Sequence, residues 1–317
     1  MSSATLDPSA SALSTYTPSA SNAVETFDLG RRYGKKWAVE HLDLKVPKGS
    51  VFGFLGLNGA GKSTTIRMLM GLLSPDAGFA HVLGLDPVGH DIAIKRRVGY
   101  VPDTPSFYEW MTVEETLAFT AHYRKKEWDD TRAAHLLQVF DLPKTQPVGT
   151  LSKGQRAKVA LTLALAFNPD LLLLDEPTLG LDPVARRQFV EGLLGEFMEG
   201  DRTVLISSHL IHEISGIVDH VAILRGGSLV RTQRVDAMLA GLKRVRLSYE
   251  DTPPSAFAVP NLVRKQIDGR EAVLVIDQFF AATTPALLNQ LGATRVDIQD
   301  LSLEEAFVEL AGRGEVL

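Results

Sequence analysis

The chain has 317 residues, 45% of them apolar and 22% charged, with a formal charge of −5 and an isoelectric point near 5.9. This is the composition of a globular protein long enough for one large domain and a smaller one, and its acidity gives no electrostatic reason to expect nucleic acid. Zero cysteines exclude disulfides and thiolate metal sites and fit a reducing compartment, and no run approaches the ~18 consecutive apolar residues of a membrane span.

Residues 1–22 are rich in Ser, Ala, Thr and Pro and contain no basic residue, so they read as a disordered tail and not as a secretory signal. From Glu25 to about Val235 short apolar runs alternate with helical stretches, the pattern of an α/β domain with a mainly parallel sheet. Val51–Leu55 reads as a buried strand. The nine residues after it, Gly56-Leu57-Asn58-Gly59-Ala60-Gly61-Lys62-Ser63-Thr64, fit the phosphate-loop pattern G-x-x-x-x-G-K-[ST]. In that pattern backbone N–H groups turn inward around phosphates, and a helix predicted from Lys62 to about Leu72 aims its positive end at the same anion. Asn58, Gly59, Gly61, Ser63 and Thr64 are therefore nucleotide-binding candidates. Lys62 is the point charge for the β/γ-phosphates, and Ser63 offers a hydroxyl to Mg2+.

Residues 105–165 carry helix signals and few strand signals, which predicts a helical insertion in the α/β core. Thr112-Val113-Glu114-Glu115 reads as a capping box opening one helix, and Glu127–Phe140 as another. Leu171–Leu174 is an apolar strand ending in Asp175 and Glu176. Asp175 is placed to reach Mg2+, and Glu176 to accept the proton of an attacking water. Val204–Ser207 and Val221–Leu224 are further buried strands. Residues 240–317 read as a small separate α+β domain, with strands at Arg244–Tyr249 and Ala272–Ile276 and helices at Thr284–Leu291 and Ser302–Leu310. The last of these opens on a second box, Ser302-Leu303-Glu304-Glu305. The division predicted is thus a tail over 1–22, a nucleotide-binding domain over 23–239 and an accessory domain over 240–317.

Leu151-Ser152-Lys153-Gly154-Gln155 resembles the signature loop of the ATP-binding cassette ATPases, and the likeness runs in the family's order from Tyr33 to His209. The resemblance implies a P-loop cassette fold and Mg2+-dependent ATP hydrolysis. It implies that Tyr33 stacks on adenine, that Asp103 stands where the family usually has glutamine near the metal, and that His209 contacts the γ-phosphate beside the catalytic Glu176 and Lys62. Ser152, Gly154 and Gln155, with Asp182 in the loop Leu179-Gly180-Leu181-Asp182, would close on ATP held by a second copy, giving a homodimer around two nucleotides. Two departures are Lys153, at a position where glycine is common, and Asp103. On residues alone, Ser152 also reads as a simple helix cap and Asp103 as a loop cap.

The segment Asp300-Leu301-Ser302-Leu303-Glu304-Glu305-Ala306-Phe307 resembles the end of the C-terminal extension on cassette ATPases that serve exporter-type, separately encoded permeases. The protein is accordingly expected to be a cytoplasmic subunit, peripheral on the inner face of the membrane through its permease, with no nucleic-acid partner. Phe107, Tyr108, Trp110 and Met111 read equally as a permease-docking cluster or as core. A soluble cassette ATPase acting on a ribosome, nucleic acid or another assembly is the alternative. A P-loop kinase would leave the signature loop and Glu176 without a purpose.

Overall fold

A computed structural model describes residues 17–197, 202–280, 288 and 291–311. The chain divides into two compact units, the first reaching His209 and including Leu224–Leu229, the second made of Leu210–Ile223 and the chain from Val230 onward. The expected tail lies outside the described residues as far as residue 16, and by Asn22 the chain has entered a strand.

The first unit begins with β1 (Asn22–Tyr33), β2 (Lys36–Leu42) and β3 (Lys45–Pro47), followed by β4 (Val51–Gly56), α1 (Lys62–Leu69), β5 (Ala77–Val82), α2 (Asp91–Arg97) and β6 (Val98–Val101). Next come α3 (Val113–Tyr123), α4 (Asp130–Val139), α5 (Lys153–Leu165), β7 (Leu171–Asp175), α6 (Pro183–Phe197) and β8 (Thr203–Ser208). Two sheets result. In one, β1 pairs antiparallel with β2, β3 and β5, a layer that the apolar runs of the sequence do not announce. The reason is chemical: β1 buries Glu25 and Thr26, polar residues that an apolar-pattern reading assigns to solvent. Thr26 is satisfied by donating to the Leu42 carbonyl (2.7 Å) and accepting from the Leu44 N–H (2.8 Å), as a buried hydroxyl requires.

In the other sheet β4, β8, β7 and β6 lie side by side and parallel. Every residue of β4, β7 and β8 is buried, because a parallel sheet is covered on both faces and selects continuous apolar runs. Register pairs Leu55 with Ser208, Asp175 with Ser207 and Val101 with Leu174. The phosphate loop, the Asp175-Glu176 pair, His209 and the segment carrying Asp103 therefore all leave the sheet at its carboxyl edge, where open α/β sheets bind ligands.

Three helices occupy the predicted insertion. α3 opens on the expected box, with the Glu115 N–H donating to Thr112 Oγ1 (3.2 Å) and the Thr112 N–H to Glu115 Oε2 (2.8 Å). α4 starts three residues later than Glu127. The Arg124 carbonyl holds the N–H groups of Glu127 and Trp128 in a turn, and the Asp129 carboxylate then caps the helix by accepting from the Arg132 N–H (2.9 Å).

The second unit contains most of the hairpin β9 (His220–Arg225) and β10 (Ser228–Arg234), whose tip belongs to the first unit, then α7 (Val235–Gly241). β11 (Lys243–Ser248), β12 (Leu262–Asp268), β13 (Glu271–Ile276) and β14 (Arg295–Asp300) form an antiparallel sheet in the order β12-β13-β11-β14, and α8 (Leu303–Ala311) closes the unit. Val245, Leu247, Leu274 and Ile276 form one core with Phe257, Val259 and Leu288. Apart from Leu288 and Leu291, the helix predicted over 284–291 lies outside the described residues. α8 buries Leu303, Ala306, Phe307 and Leu310, whose helical spacing puts them on one face.

The cap of α8 yields a pH prediction. Backbone and hydroxyl donors of Ser302 and the Arg244 guanidinium (2.7 Å) hold the Glu305 carboxyl down from 4.5 to about 2. A depressed carboxyl contributes stability that is complete above its ordinary value and is lost as pH falls through its folded value. Thermal unfolding of the wild type should therefore weaken between pH 4.5 and about 2 more steeply than that of Glu305→Gln; equal slopes would remove this cap as a contributor.

Candidate functional site

Gly61 shapes the loop between β4 and α1. Its φ of 104° suits only glycine, and a Cβ there would lie 2.5 Å from the Ala38 carbonyl oxygen of β2. α1 consequently begins without any side-chain cap at Gly61, leaving its positive end to an anion. Asn58 and Gly59 are exposed at the rim, and Ser63 and Thr64 are half-buried in the first helical turn. Lys62 is buried at 5% exposure. Its ammonium donates to the Gly56 carbonyl (2.6 Å) and lies 2.9 Å from Glu176 Oε1.

Asp175 ends β7, Glu176 follows it, and both are buried. Ser63 Oγ donates to Asp175 Oδ1 (3.0 Å), and so does Ser207 Oγ (2.8 Å). The Ser207 oxygen also accepts from the Glu176 N–H (2.9 Å). One hydroxyl thus fixes both acidic residues. Sequence reading assigns Ser207 only to a strand; a serine directly after the buried apolar run Val204–Ile206, two residues before His209, is the available signal. Asp175 Oδ2 is buried with no hydrogen-bond partner among the described residues. Burial raises the Asp175 carboxyl above the ordinary range, against the two serine hydroxyls, and Asp103 and Glu176 add to the rise.

This donor set fits Mg2+. A small hard cation takes one or two protein oxygens and completes its shell with water and phosphate, and an orphaned carboxylate oxygen beside the Ser63 hydroxyl offers that much. No cluster of three or more His, Asp or Glu is placed to hold a metal by itself among the described residues.

Glu176 adopts a positive φ of 47°, unusual for a residue with a side chain. Its Oε2 is 2.8 Å from His209 Nδ1, so the carboxylate lies between the lysine ammonium and the imidazole. Asp103 follows β6 and faces the Arg67 guanidinium of α1 at 3.8 Å. That cation offsets the extra negative charge that aspartate brings in place of glutamine. Tyr33 is 53% exposed at the end of β1, with the Arg31 guanidinium 5.6 Å from its ring. Its hairpin partner β2 is the strand that meets the loop at Gly61.

Among the described residues the signature residues make no hydrogen bond or ion pair with this group. Ser152 is exposed and caps α5 in a reciprocal box with Gln155: the Gln155 N–H donates to Ser152 Oγ (3.2 Å), and the Ser152 N–H to Gln155 Oε1 (3.0 Å). Gly154 packs against Ala185 so closely that a Cβ would come within 2.9 Å, and Lys153 lays its ammonium over Gly180. Asp182 accepts from the N–H groups of Ala185 (2.9 Å) and Val184 (3.0 Å) at the start of α6, which lowers its carboxyl. The structure therefore gathers Lys62, Ser63, Asp175, Glu176, Ser207 and His209 at one point. It gathers Ser152, Lys153, Gly154 and Gln155 with the Gly180–Asp182 loop at another.

Comparison with known proteins identifies the family. The family model described as ABC transporter matches residues 39–179. The bacitracin transport ATP-binding protein BcrA of Bacillus licheniformis is 31% identical over 312 residues, spanning 93% of this chain and 99% of the relative. The Nod factor export ATP-binding protein I of Ralstonia nicotianae is 36% identical over 301 residues, 90% of this chain and 92% of its own. A solved ATP-binding subunit of an ABC transporter superposes with a TM-score of 0.61 at 30% identity, covering 68% of this chain and 90% of that one. On the strength of a likeness that spans nearly the whole length of both chains, this protein belongs to the ABC transporter family as one of its ATP-binding, ATP-hydrolysing subunits.

Proposed function

We propose that the chain dimerises head to tail around two ATP and drives a separately encoded membrane permease, in the direction of export. The observation that carries the chemistry is the buried group at the end of β7. Glu176 is held by Lys62 on one oxygen and His209 on the other, in position to take a proton from water. In this reading Lys62 moves its charge to the β/γ-phosphates, and His209 orients Glu176 and meets the γ-phosphate. Ser63 and Asp175, with Asp103 nearby, hold Mg2+, which when bound supplies positive charge to the phosphate oxygens. Tyr33 stacks on adenine, and Asn58, Gly59, Gly61 and Thr64 line the phosphates. Ser152, Gly154, Gln155 and Asp182, grouped away from their own phosphate loop, serve the second copy's nucleotide.

The transport names of the relatives favour a permease over a soluble assembly, and the Ralstonia relative is named for Nod factor export. No described helix is long and apolar enough to cross a membrane. An aromatic strip supplies a docking face. Tyr108 and Trp110 are 55% and 70% exposed, with ring centroids 6.1 Å apart, and the contacts continue through Phe119 (5.5 Å) to Tyr123 (5.1 Å). Phe107 and Met111 are half-buried and belong partly to the packing.

Co-expression with the candidate permease and detergent purification tests the reading. The wild type should co-purify with an integral membrane protein. Tyr108→Asp/Trp110→Asp should lose that partner while hydrolysing ATP normally in solution. Retention of the partner would move the docking face elsewhere, and recovery of ribosomes or nucleic acid in place of a membrane protein would reject transport.

A further inference from the structure

The first unit gathers cations that are scattered in sequence into one open cavity of about 410 Å3, where Lys95 and Arg96 of α2 face the turn Arg124–Glu127 that follows α3. Lys95 is paired with Asp91 (2.8 Å) and Arg96 with Glu127 (3.5 Å). Arg124 is half-buried, with its guanidinium 3.7 Å from the centre of the Phe167 ring. Lys125 and Lys126 are exposed. The cavity thus carries Lys95, Arg96, Arg124, Lys125 and Lys126 against Asp91 and Glu127, a local excess of cations on a chain whose net charge is −5. Its rim is apolar: Ile92 is 65% exposed and Tyr123 is 75% exposed.

We propose that this basic cavity binds the phosphate headgroups of anionic phospholipids, so that the subunit contacts the membrane surface directly. Charge alone would suit any anion, but the apolar rim narrows the choice. An exposed isoleucine and a tyrosine beside paired lysines form the combination that settles at a lipid interface, ring and methyls toward the acyl boundary and ammonium groups toward phosphate. Nucleic acid calls for a continuous basic track, whereas here one concave site stands on an acidic protein. Tyr123 also ends the aromatic strip assigned to the permease, so lipid and permease would adjoin. The lipid contact does not depend on the permease reading and is measured without it.

The experiment uses full-length protein and sedimentation with vesicles of equal parts phosphatidylglycerol and phosphatidylcholine, against phosphatidylcholine alone. Binding should appear only with the anionic lipid and weaken as salt is raised. At about 1 kcal/mol per lysine near the surface, Lys125→Ala/Lys126→Ala should bind about 30-fold more weakly, with ATP turnover in solution unchanged. Inorganic phosphate should fail to compete. Full competition by phosphate would reassign the cavity to a free anion, and preferential capture by an acidic peptide or an oligonucleotide would replace the lipid. No binding by the wild type, or equal binding by the double variant, would overturn the proposal.

Discussion

Glu176→Gln is expected to bind ATP and to hydrolyse it about 10²–10⁴-fold more slowly, the range contributed by a positioned general base. The substitution keeps the size of the side chain and allows its oxygen to remain near Lys62 and His209, 2.9 Å and 2.8 Å from the wild-type carboxylate. What it removes is the capacity to accept a proton. If two copies close around nucleotide before hydrolysis, the slowed variant should accumulate as an ATP-bound dimer, visible by sedimentation with ATP and absent with ADP. Phosphate release measured at steady state supplies the other readout. Near-normal turnover would take Glu176 out of the base's role, while slow turnover without a dimer would keep the base and reject the two-copy closure.

The sequence reveals this site to the extent that its residues lie at the ends of buried strands. Leu171–Leu174 must be apolar because β7 is covered on both faces, so the two carboxylates after it stand out. The phosphate loop is legible for the same reason, as a glycine-rich break after β4. Ser207 is not, because its partners Asp175 and the Glu176 N–H come from a neighbouring strand and only the parallel register of β7 and β8 brings them together. Arg67 and Asp103 likewise meet only through the packing of α1 beside the end of β6. The antiparallel layer around β1 is hidden by its buried Glu25 and Thr26, whose polarity is resolved by hydrogen bonds that no periodicity reports. The basic cavity is hidden too, since Lys95-Arg96 belong to α2 and Arg124–Lys126 to the turn that follows α3. In the second unit α8 was legible from its box and its apolar face, whereas its packing against the turn Ile211–Glu213 links segments far apart in the chain.

Lys62→Met should separate binding from stability. The ammonium is buried, donates to Gly56 O and stands against Glu176 Oε1, which has no other hydrogen-bond partner among the described residues. Methionine preserves most of the side chain's length and apolar stem but removes the charge, so ATP binding should be lost or greatly weakened, because the phosphates lose their principal cation. The nucleotide-free protein should also become less stable. Breaking a buried ion pair by removing one partner costs about 3–5 kcal/mol; His209 still holds the other oxygen of Glu176, which places the expected loss near ~3 kcal/mol, at the lower end of that range. For a domain of this size that corresponds to a fall in melting temperature of roughly 6–12 °C. Adding Glu176→Gln to Lys62→Met removes the uncompensated charge, so the double variant should regain most of the lost stability while remaining unable to bind ATP. Thermal unfolding without nucleotide, together with ATP titration of the two single variants and the double variant, makes the comparison. A Lys62→Met protein as stable as the wild type would show that solvent already screens the pair, and a double variant no more stable than Lys62→Met would place the loss in packing around the loop instead of in the charge left on Glu176.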